Sequence, residues 1–490
     1  MPISQTNIPD WSALIPVLPD DAPSGPGGPA RWQRLYAKLR QLIEDGHLPP
    51  GAKLPPSRDL AARLGLARGA VVAAFELLVA EGFAEARTGA GTFVAARVPH
   101  RRAGAAPPDP ASPVSPALAP SASATRPAAR RRDLPGTLGA AAEDARSARI
   151  FRSLLHHDLA RPASALYRYG DPQGSAALRR EVAAYLHLAR GVRCVPEQIL
   201  ITSGTQSALD LVLRSVLAPG DSIWLEDPGY PMARAAMQGA GLQVVGVPVD
   251  GEGLMVAAGI ARAPHARAVY VTPSHQFPLG VTLSMPRRLA LIDWAVANGS
   301  WIIEDDYDSE FRHAGPPLTA LQGMDAAGRV IYSGSFSKAF MPGLRLGYLV
   351  LPEALLPPVL ALRDRTDRYP PALAEGAMAV FLRDGHYAAH LRRARRRVRQ
   401  ARDALVAALA GGVARVSPPD QGLHLIAHLP PGSDDQAQAE QAQAAGLGAR
   451  ALSPMYLQNP PQAGLVIGFS GFSPEALAGA ARAWMDRTAP

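Results

Sequence analysis

The sequence contains very little cysteine. Cys194 is the single cysteine among 490 residues, which excludes an internal disulfide and suits a reducing cytoplasm. The sequence also lacks Cys/His pairs at metal-ligand spacing and any apolar run of about 18 residues that could cross a bilayer. It does not start with the basic and apolar stretches that are typical of a signal peptide. These absences predict a cytoplasmic protein with no metal site and no membrane contact.

Lysine is the scarcer of the two basic residues. Lys38, Lys53 and Lys338 are the only lysines, although lysine and arginine together number 50. An amine can lose its proton and condense with an aldehyde, whereas arginine stays charged and inert. Lys338 ends the segment Ser-Gly-Ser-Phe-Ser-Lys at 333–338, whose hydroxyls could hold a phosphate. We therefore interpret it as the Schiff-base lysine of a pyridoxal 5'-phosphate (PLP) site, the alternative being an ordinary surface lysine.

The distribution of residues divides the chain into three parts after an N-terminal extension, residues 1–30. Residues 101–135 are rich in Ala, Pro, Ser and Arg and hold few large apolar residues, so they cannot offset the entropy of ordering. They predict a flexible linker between a small domain, 31–100, and a large one, 136–490. Residues 1–135 carry 16 Lys and Arg against 11 Asp and Glu, a surplus of +5 that favours a polyanionic partner.

The large domain alternates apolar runs with amphipathic helical segments. This alternation predicts an α/β domain with a mainly parallel sheet. The predicted strands are 198–202, 222–226, 268–272, 301–305, 330–333 and 347–351, and two of the predicted helices are 206–217 and 286–298.

The small domain has the pattern of an α+β winged helix-turn-helix. A helix over 30–43 is followed by a second over 58–64, capped by Ser57, and a third over 68–81, with Gly65 in the turn between them. Residues 82–86 and 92–95 around the turn 88–91 predict a hairpin, the wing. The third helix would enter the major groove of double-stranded DNA.

This stretch closely resembles the GntR family of bacterial winged-helix DNA-binding domains. The resemblance rests on motifs such as Leu-Pro-Pro-Gly at 48–51, Leu-Pro-Pro-Ser-Arg-Asp-Leu-Ala at 54–61 and Gly-Ala-Gly-Thr-Phe-Val at 89–94. It implies DNA contacts by Arg58 and Arg68 and by Gly91 and Thr92 in the wing, with an operator as partner and a place on the nucleoid. Two positions that often hold phosphate-binding hydroxyls in this family are alanines here, Ala67 and Ala70.

Residues 301–308 of the large domain form an apolar run that ends in acids. PLP needs a carboxylate at its pyridine nitrogen. Because side chains alternate along a strand, Asp305 and Tyr307 share a face while Asp306 points away. We therefore assign Asp305 to the ring nitrogen and Tyr307 to the 3'-oxygen. Tyr230, on the turn 227–231, could stack on the ring, although packing alone would explain it.

Further polar residues follow other strands and could contact the cofactor. A strand-to-helix turn at 202–207 could bind a phosphate through free N–H groups, and many α/β turns look alike. We assign the phosphate and the 3'-oxygen to two sets of residues. The phosphate set is Gly204, Thr205, Gln206, Ser335, Ser337 and Arg345, and the 3'-oxygen set is His275 or Gln276.

In this order, the segments resemble fold-type I PLP-dependent aminotransferases over roughly residues 145–490. The resemblance implies a homodimer in which Tyr169 reaches the partner's cofactor phosphate. A GntR winged helix joined to such an aminotransferase-like domain is similar to the MocR group of bacterial transcriptional regulators. Segments 274–278, Ser-His-Gln-Phe-Pro, and 304–311, Glu-Asp-Asp-Tyr-Asp-Ser-Glu-Phe, are typical of that group.

Two functions remain open from the sequence. One is a transcriptional regulator that senses PLP or an amino compound, and the other is an active aminotransferase that also binds DNA. Aminotransferases of this fold usually carry an arginine before the last strand that fixes the substrate carboxylate. The corresponding stretch here, 464–470, has none, which argues against efficient transamination. Met232 stands where the GABA-responsive regulators of the group have arginine, so we do not assign that effector.

Overall fold

The structure is a computed structural model that describes residues 31–96, 134–141, 144–160, 168–315, 318–412 and 414–488. The chain forms two units, residues 1–116 and 117–490. The predicted extension, 1–30, and residues 101–133 of the predicted linker lie outside the described residues.

The first unit is a three-helix domain with a two-stranded hairpin. Its helices bury apolar residues that include Leu35, Leu39, Val71 and Leu78. The apolar positions that recur along these helices therefore form one small core. Gly65 ends the second helix with a φ of 64°, a left-handed conformation that suits glycine. The elements are α1 Arg31–Glu44, α2 Ser57–Leu64, α3 Arg68–Ala80, β1 Ala84–Arg87 and β2 Gly91–Val94.

The predicted cap of the second helix is wrong. The helix starts at Ser57 itself, and Pro56 occupies the capping position without any side-chain hydrogen bond. The proline has a φ of −55°, which presets the chain for entry into the helix, so no hydroxyl is required there.

The second unit contains an eight-stranded sheet in the order β3-β10-β9-β8-β7-β4-β5-β6. Strands β5, β4, β7, β8 and β9 run parallel, while β10 is antiparallel to both of its neighbours and β6 is antiparallel to β5. The mainly parallel sheet is therefore confirmed. The strands are β3 Ile199–Thr202, β4 Ser222–Asp227, β5 Gln243–Asp250, β6 Gly253–Leu254, β7 Ala268–Val271, β8 Trp301–Asp306, β9 Val330–Ser335 and β10 Gly347–Val350.

Helices bury the apolar side chains of this sheet in separate clusters, as expected for parallel strands whose residues are buried along their whole length. Among the described residues no helix is long and apolar enough to span a membrane. The helices are α4 Ala145–Leu159, α5 Ala176–Arg190, α6 Thr205–Val216, α7 Pro231–Gly239, α8 Val256–Arg262, α9 Met285–Asn298, α10 Leu356–Arg363, α11 Glu375–Arg383, α12 His386–Leu409, α13 Asp435–Ala444 and α14 Pro474–Thr488.

A second sheet of four antiparallel strands follows the large one in the chain, in the order β11-β12-β14-β13. Only β14 was anticipated from the sequence, because the other strands are short or carry polar residues. One face of this sheet packs on helices through residues such as Leu425 and Ile467. The strands are β11 Arg415–Val416, β12 His424–His428, β13 Arg450–Ala451 and β14 Gly464–Gly468.

The segment 134–141 is fastened to this second sheet. The carbonyl of Pro135, the last residue of the predicted linker, accepts the Gly448 N–H at 2.7 Å, and the Gly136 carbonyl accepts the Gly468 N–H at 2.7 Å. These bonds fix the path of the chain as it enters the unit.

Candidate functional site

The predicted site residues of the second unit converge at one edge of the eight-stranded sheet. Parallel strands end at a common edge, where ligands of α/β proteins bind. Strands β4, β7, β8 and β9 are followed there by Tyr230, His275, Tyr307 and Lys338, and β3, which runs in the same direction as β9, is followed by Gly204.

Asp305 lies buried near the end of β8 with one oxygen unused. Its Oδ2 accepts a hydrogen bond from Tyr270 Oη at 2.5 Å, and its Oδ1 is buried with no partner among the described residues. Burial raises the pKa of this carboxyl to about 7, although the Tyr270 bond opposes the shift. An ionised Asp305 therefore needs a cationic or N–H donor that the protein itself does not supply.

Asp306 points to the opposite face of β8. Its Oδ2 accepts bonds from Arg190 Nε at 2.7 Å and from Tyr332 Oη at 2.6 Å. Arg190 also donates to the Ser274 hydroxyl at 2.6 Å. The two adjacent aspartates thus have different environments, one paired within the protein and one facing the site.

Lys338 lies in the turn after β9, half-buried, with its amine close to the entering segment 134–141. A Cβ built on Gly139 would lie 2.3 Å from its Nζ, so a larger residue there would displace the amine from its present position. Burial lowers the pKa of the Lys338 amine, Asp308 and Asp305 partly oppose this, and Arg450 and Arg345 lower it further. A lysine with a lowered pKa is closer to the neutral form that attacks an aldehyde.

Tyr307 and His275 form a short polar chain beside Asp305. His275 Nδ1 lies 2.9 Å from Tyr307 Oη and 2.8 Å from Asp308 Oδ2, and His275 Nε2 is buried with no partner among the described residues. Burial, together with Asp308 and Asp305, raises the pKa of Tyr307 well above its usual value. Tyr307 therefore stays protonated, and its hydroxyl can donate a hydrogen bond to an oxygen anion.

Gln276, the other residue predicted at the 3'-oxygen, is directed differently. Its amide nitrogen donates to the carbonyls of Pro228, at 2.9 Å, and Phe277, at 2.6 Å, while its oxygen accepts the Leu279 N–H at 3.0 Å. Both amide hydrogens are already used to hold the loop. The structure brings His275 to the site through Tyr307 and leaves Gln276 in a supporting position.

The phosphate-binding residues predicted from sequence surround the N-terminus of α6. Gly204 precedes this helix with a φ of 97°, and a Cβ there would lie 3.0 Å from an Arg345 guanidinium nitrogen. No capping side chain takes the first N–H groups of α6, at Thr205 and Gln206. Such an N-terminus beside an arginine is a favourable anion site.

The two predicted serines lie on the turn at the end of β9. The Ser335 hydroxyl accepts the Ser337 N–H at 3.0 Å, whereas the Ser337 hydroxyl is buried with no partner among the described residues. Gln206 directs its amide nitrogen toward the Met232 carbonyl at 3.3 Å. Ser337 is thus the hydroxyl left available for an anion.

Tyr230 and Tyr169 occupy opposite kinds of surroundings. Tyr230 is half-buried, with its ring centroid 5.6 Å from that of Phe277. Tyr169 is 83% exposed and touches Tyr369 edge-on, at 5.8 Å between ring centroids. The structure therefore places Tyr230 at the site and Tyr169 on the surface of this chain.

Sequence reasoning missed five residues of the site: Gly139, Tyr270, Phe277, Asp308 and Arg450. Tyr270 had a usable signal, because it lies beside Ile303 in the sheet, two residues before Asp305 on the same face. No sequence signal pointed to Gly139 or Arg450, because their positions depend on the four-stranded sheet.

One group of potential metal ligands lies beside the site in the described part of the chain. His275, Asp308 and His424 have ligand atoms within 4.8 Å of one another. Hydrogen bonds account for these contacts, because His275 bonds Asp308 and His424 Nε2 lies 2.9 Å from the Pro278 carbonyl oxygen. The arrangement needs no ion.

In the first unit, the predicted DNA-contacting residues lie at the surface. Arg58 and Arg68 are exposed at the starts of α2 and α3, and Gly91 and Thr92 open the second strand of the wing. Ala67 precedes α3 without a side-chain cap, which leaves its first N–H groups free. Lys53 and Arg87 add positive charge at the wing, each over the ring of Phe93.

The vacant hydrogen-bonding groups of the second unit fit PLP. If PLP binds here, Asp305 Oδ1 would suit the pyridine nitrogen, Tyr307 the 3'-oxygen, and Arg345 with the α6 N-terminus the phosphate, while Lys338 would supply the amine for the aldehyde. This donor set on this sheet defines the fold of the type I PLP-dependent aminotransferases.

The comparisons with known proteins give the same class and then the family. Residues 140–482 match aminotransferase class I and II, and residues 32–94 match the gntR family of bacterial regulatory proteins. A solved archaeal alanine:glyoxylate aminotransferase is similar in structure, with a TM-score of 0.68 and 27% identity over 72% of this chain and 90% of that one.

Two regulators match most of the chain. A probable rhizopine catabolism regulatory protein, MocR, of Rhizobium meliloti is 36% identical over 91% of each chain. The pyridoxine biosynthesis transcriptional regulator PdxR of Corynebacterium glutamicum is 33% identical over 80% of this chain and 82% of its own. The chain belongs to the MocR-type transcriptional regulators of the GntR family, which carry a DNA-binding winged helix and an aminotransferase-like domain.

Proposed function

We propose that this regulator binds PLP at Lys338 and changes its operator binding in response to PLP itself or to an amino compound. DNA binding follows from the family. The cofactor, the effector, the homodimer and the individual site residues are parts of the proposal.

The single observation that carries the proposal is the buried Asp305 carboxyl, whose Oδ1 has no partner and which, unlike Asp306, has no ion pair among the described residues. A buried carboxylate with one oxygen unpaired is unfavourable unless a donor arrives. A protonated pyridine nitrogen is such a donor, and it would hold Asp305 ionised. Bound PLP would supply an aldehyde able to condense with a primary amine.

The other residues of the site orient the cofactor. Tyr307, supported by His275, would donate to the 3'-oxygen, and Tyr230 would cover a ring face. Arg345, Ser337 and the α6 N-terminus would hold the phosphate. Ser335 and Gln276 would keep these loops in place through the bonds described above.

The exposed Tyr169 supports the proposal of a homodimer. An aromatic side chain that is 83% exposed, next to the exposed residues 170–171, is accessible to a partner subunit. We propose that it reaches the cofactor phosphate of the partner subunit. The winged helices, joined by residues 101–135 as a linker, would then be available to two half-sites of a nucleoid operator.

The first experiment is the visible absorption spectrum of the PLP-treated protein, compared with its Lys338→Ala variant. We expect a band of lysine-bound cofactor in the wild type and none in the variant. Lys38→Ala, a change at another lysine, is the matched control and should keep the band. A wild-type protein with no band would overturn the proposal.

The same spectra test the alternative function, an active aminotransferase. The fold and the retained lysine favour it, and the absence of an arginine in β14 opposes it. Complete conversion of the band to the pyridoxamine form by an amino acid, with release of the keto acid, would establish catalysis. Addition of the amino compound without release would leave the regulator as the function.

A further inference from the structure

A buried histidine from α12 holds the turn that carries Lys338. His390 is 1% exposed, and its Nε2 lies 2.7 Å from the carbonyl oxygen of Ala339, the residue after the lysine. Burial lowers the pKa of the ring, although the Ala339 bond and Asp144 oppose this, so the neutral ring has one N–H. Because a carbonyl oxygen only accepts, that hydrogen lies on Nε2. His390 therefore donates to the main chain of the lysine turn.

Lys338 lies between two main-chain anchors. On one side the Ser337 N–H donates to the Ser335 hydroxyl at 3.0 Å, and on the other the Ala339 carbonyl accepts from His390. The first bond is local, since Ser335 ends β9, the strand that leads into the turn. The second comes from a helix 51 positions further along the chain. It is therefore the bond that fixes the turn against the rest of the unit.

The other side of the histidine ring is held by α4. His390 Nδ1 lies 3.1 Å from the Ser147 hydroxyl, which donates to Asp144 Oδ2 at 2.8 Å. Arg393 of α12 donates to both residues, from Nε to Asp144 at 2.8 Å and from Nη2 to Ser147 at 2.9 Å. Burial alone would raise the pKa of Asp144, but the bonds from Arg393 and Ser147 hold it below its ordinary value. The charged cluster fixes the ring with Nε2 directed at the lysine turn.

The same part of the chain approaches the lysine from a second direction. Asp144 caps α4 and Ser147 lies in its first turn, and this helix follows the entering segment 134–141. Within that segment, a Cβ built on Gly139 would lie 2.3 Å from Lys338 Nζ. The lysine is thus bounded at its amine by the entering segment and held through its main chain by His390.

We infer that His390 is a positioning residue for Lys338: its bond to the Ala339 carbonyl keeps the lysine turn in the conformation that holds the amine at the cofactor site. The inference rests on the proposed function, in which that amine binds PLP, and adds a residue that acts only through the turn. A histidine that merely filled the core beside α12 would be replaceable by an apolar residue without effect on the lysine.

Three substitutions separate the two bonds of the ring. In His390→Gln the amide nitrogen can take the place of Nε2 and reach the Ala339 carbonyl. The shorter side chain of His390→Asn reaches only Ser147, and that of His390→Leu makes neither bond. Val398→Ala is the control, because it removes buried volume from the same helix and has no side-chain hydrogen bond to lose.

The first measurement is the PLP affinity of the full-length protein, from titration of the absorption band. We expect His390→Leu and His390→Asn to bind PLP about tenfold more weakly, the effect of one hydrogen bond, and His390→Gln to stay within about threefold of the wild type. Val398→Ala should unfold at a lower temperature and bind PLP normally. If His390→Leu does not fold, the comparison of His390→Gln with His390→Asn decides: equal affinities would overturn the inference.

The second measurement needs no cofactor. Reductive methylation with formaldehyde and cyanoborohydride, followed by mass spectrometry of the peptides, gives the pH at which each lysine reacts at half its maximal rate. The chain has only three lysines, so Lys38 and Lys53 are internal controls. Burial lowers the pKa of the Lys338 amine, and a displaced amine loses this shift. The midpoint for Lys338 should therefore rise in His390→Asn and His390→Leu and stay unchanged in His390→Gln.

The two measurements distinguish the possible failures. Normal PLP binding and an unchanged Lys338 midpoint in His390→Asn and His390→Leu would overturn the inference and leave the cofactor site intact. Absence of the band in the wild type would overturn the proposed function. A raised midpoint in His390→Asn would in that case still support the positioning of the amine by His390.

Discussion

Asp305 and Asp306 are adjacent carboxylates that should respond oppositely to the same substitution. Each is buried with one oxygen that has no partner among the described residues, but only Asp306 forms an ion pair, with the buried Arg190. Replacing either with asparagine removes a negative charge at almost constant volume. We predict that Asp305→Asn stabilises the cofactor-free protein at alkaline pH and that Asp306→Asn destabilises it.

The magnitude follows from the pKa of Asp305. Its value rises from 3.8 to about 7 on folding, a shift of about 3 units, and one unit corresponds to about 1.4 kcal/mol. The folded protein holds a proton that the unfolded chain has released between these values, so stability falls as pH rises from about 4 to about 7. Asp305→Asn should recover up to about 4 kcal/mol above pH 7.

Asp306→Asn is the matched control, because it leaves a buried arginine without its counter-charge. Breaking such a pair costs about 3–5 kcal/mol. Thermal unfolding of the cofactor-free variants should be followed at pH 5.5 and pH 8. Asp305→Asn should unfold a few degrees above the wild type at pH 8 and above it by about half that difference at pH 5.5, and Asp306→Asn should unfold below the wild type at both.

Adding PLP should reverse the order of the unfolding temperatures of the wild type and Asp305→Asn. The wild type gains an ion pair with the pyridine nitrogen, whereas the asparagine variant gains only a neutral contact. The affinity of Asp305→Asn for PLP should therefore be lower than that of the wild type. The reasoning fails if Asp305→Asn lowers the stability of the cofactor-free protein at pH 8 as much as Asp306→Asn does, because Asp305 would then be an ordinary structural acid.

Three further predictions concern other parts of the chain. Arg68→Ala should weaken operator binding about tenfold or more, lower the number of counterions released on binding by about one, and leave cofactor uptake unchanged. Normal operator binding by this variant would mean that α3 is not the recognition helix. Tyr169→Phe should weaken PLP binding. In mixed dimers of one Tyr169→Phe chain and one Lys338→Ala chain, one of the two sites should bind PLP normally. If Tyr169 acted within its own chain, neither site would be normal. Tyr270→Phe removes the donor to Asp305 at 2.5 Å, so PLP affinity measured by fluorescence should fall about tenfold, and equal affinity would exclude this support.

Local chemistry explains how much of the fold was predictable. Six of the eight strands of the large sheet were anticipated to within about two residues because their side chains are buried and read as continuous apolar runs, whereas β5 and β6 at its edge were not predicted. The winged-helix elements followed from apolar periodicity and glycine turns. The predicted cap at Ser57 was wrong because Ser57 is the first residue of that helix and Pro56 occupies the capping position.

The four-stranded sheet was harder to predict. Its strands β11 and β13 have two residues each, too short for an alternating pattern to develop. Their positions depend on pairing with β12 and β14, which is non-local. The sequence therefore predicted Asp305, Tyr307 and Lys338 but gave no reason to consider Arg450.

The sequence by itself determined which chemistry is available, because residue type alone separates a condensing amine from an inert guanidinium and an apolar strand ending in acids from a solvated one. Tertiary structure decided which atoms remain free for a ligand. Gln276 is as polar as His275, yet both of its amide hydrogens are used within the protein. Asp306 differs from Asp305 because it pairs with the buried Arg190. Whether a polar atom is occupied depends on what the rest of the chain brings beside it, and no local pattern encodes that.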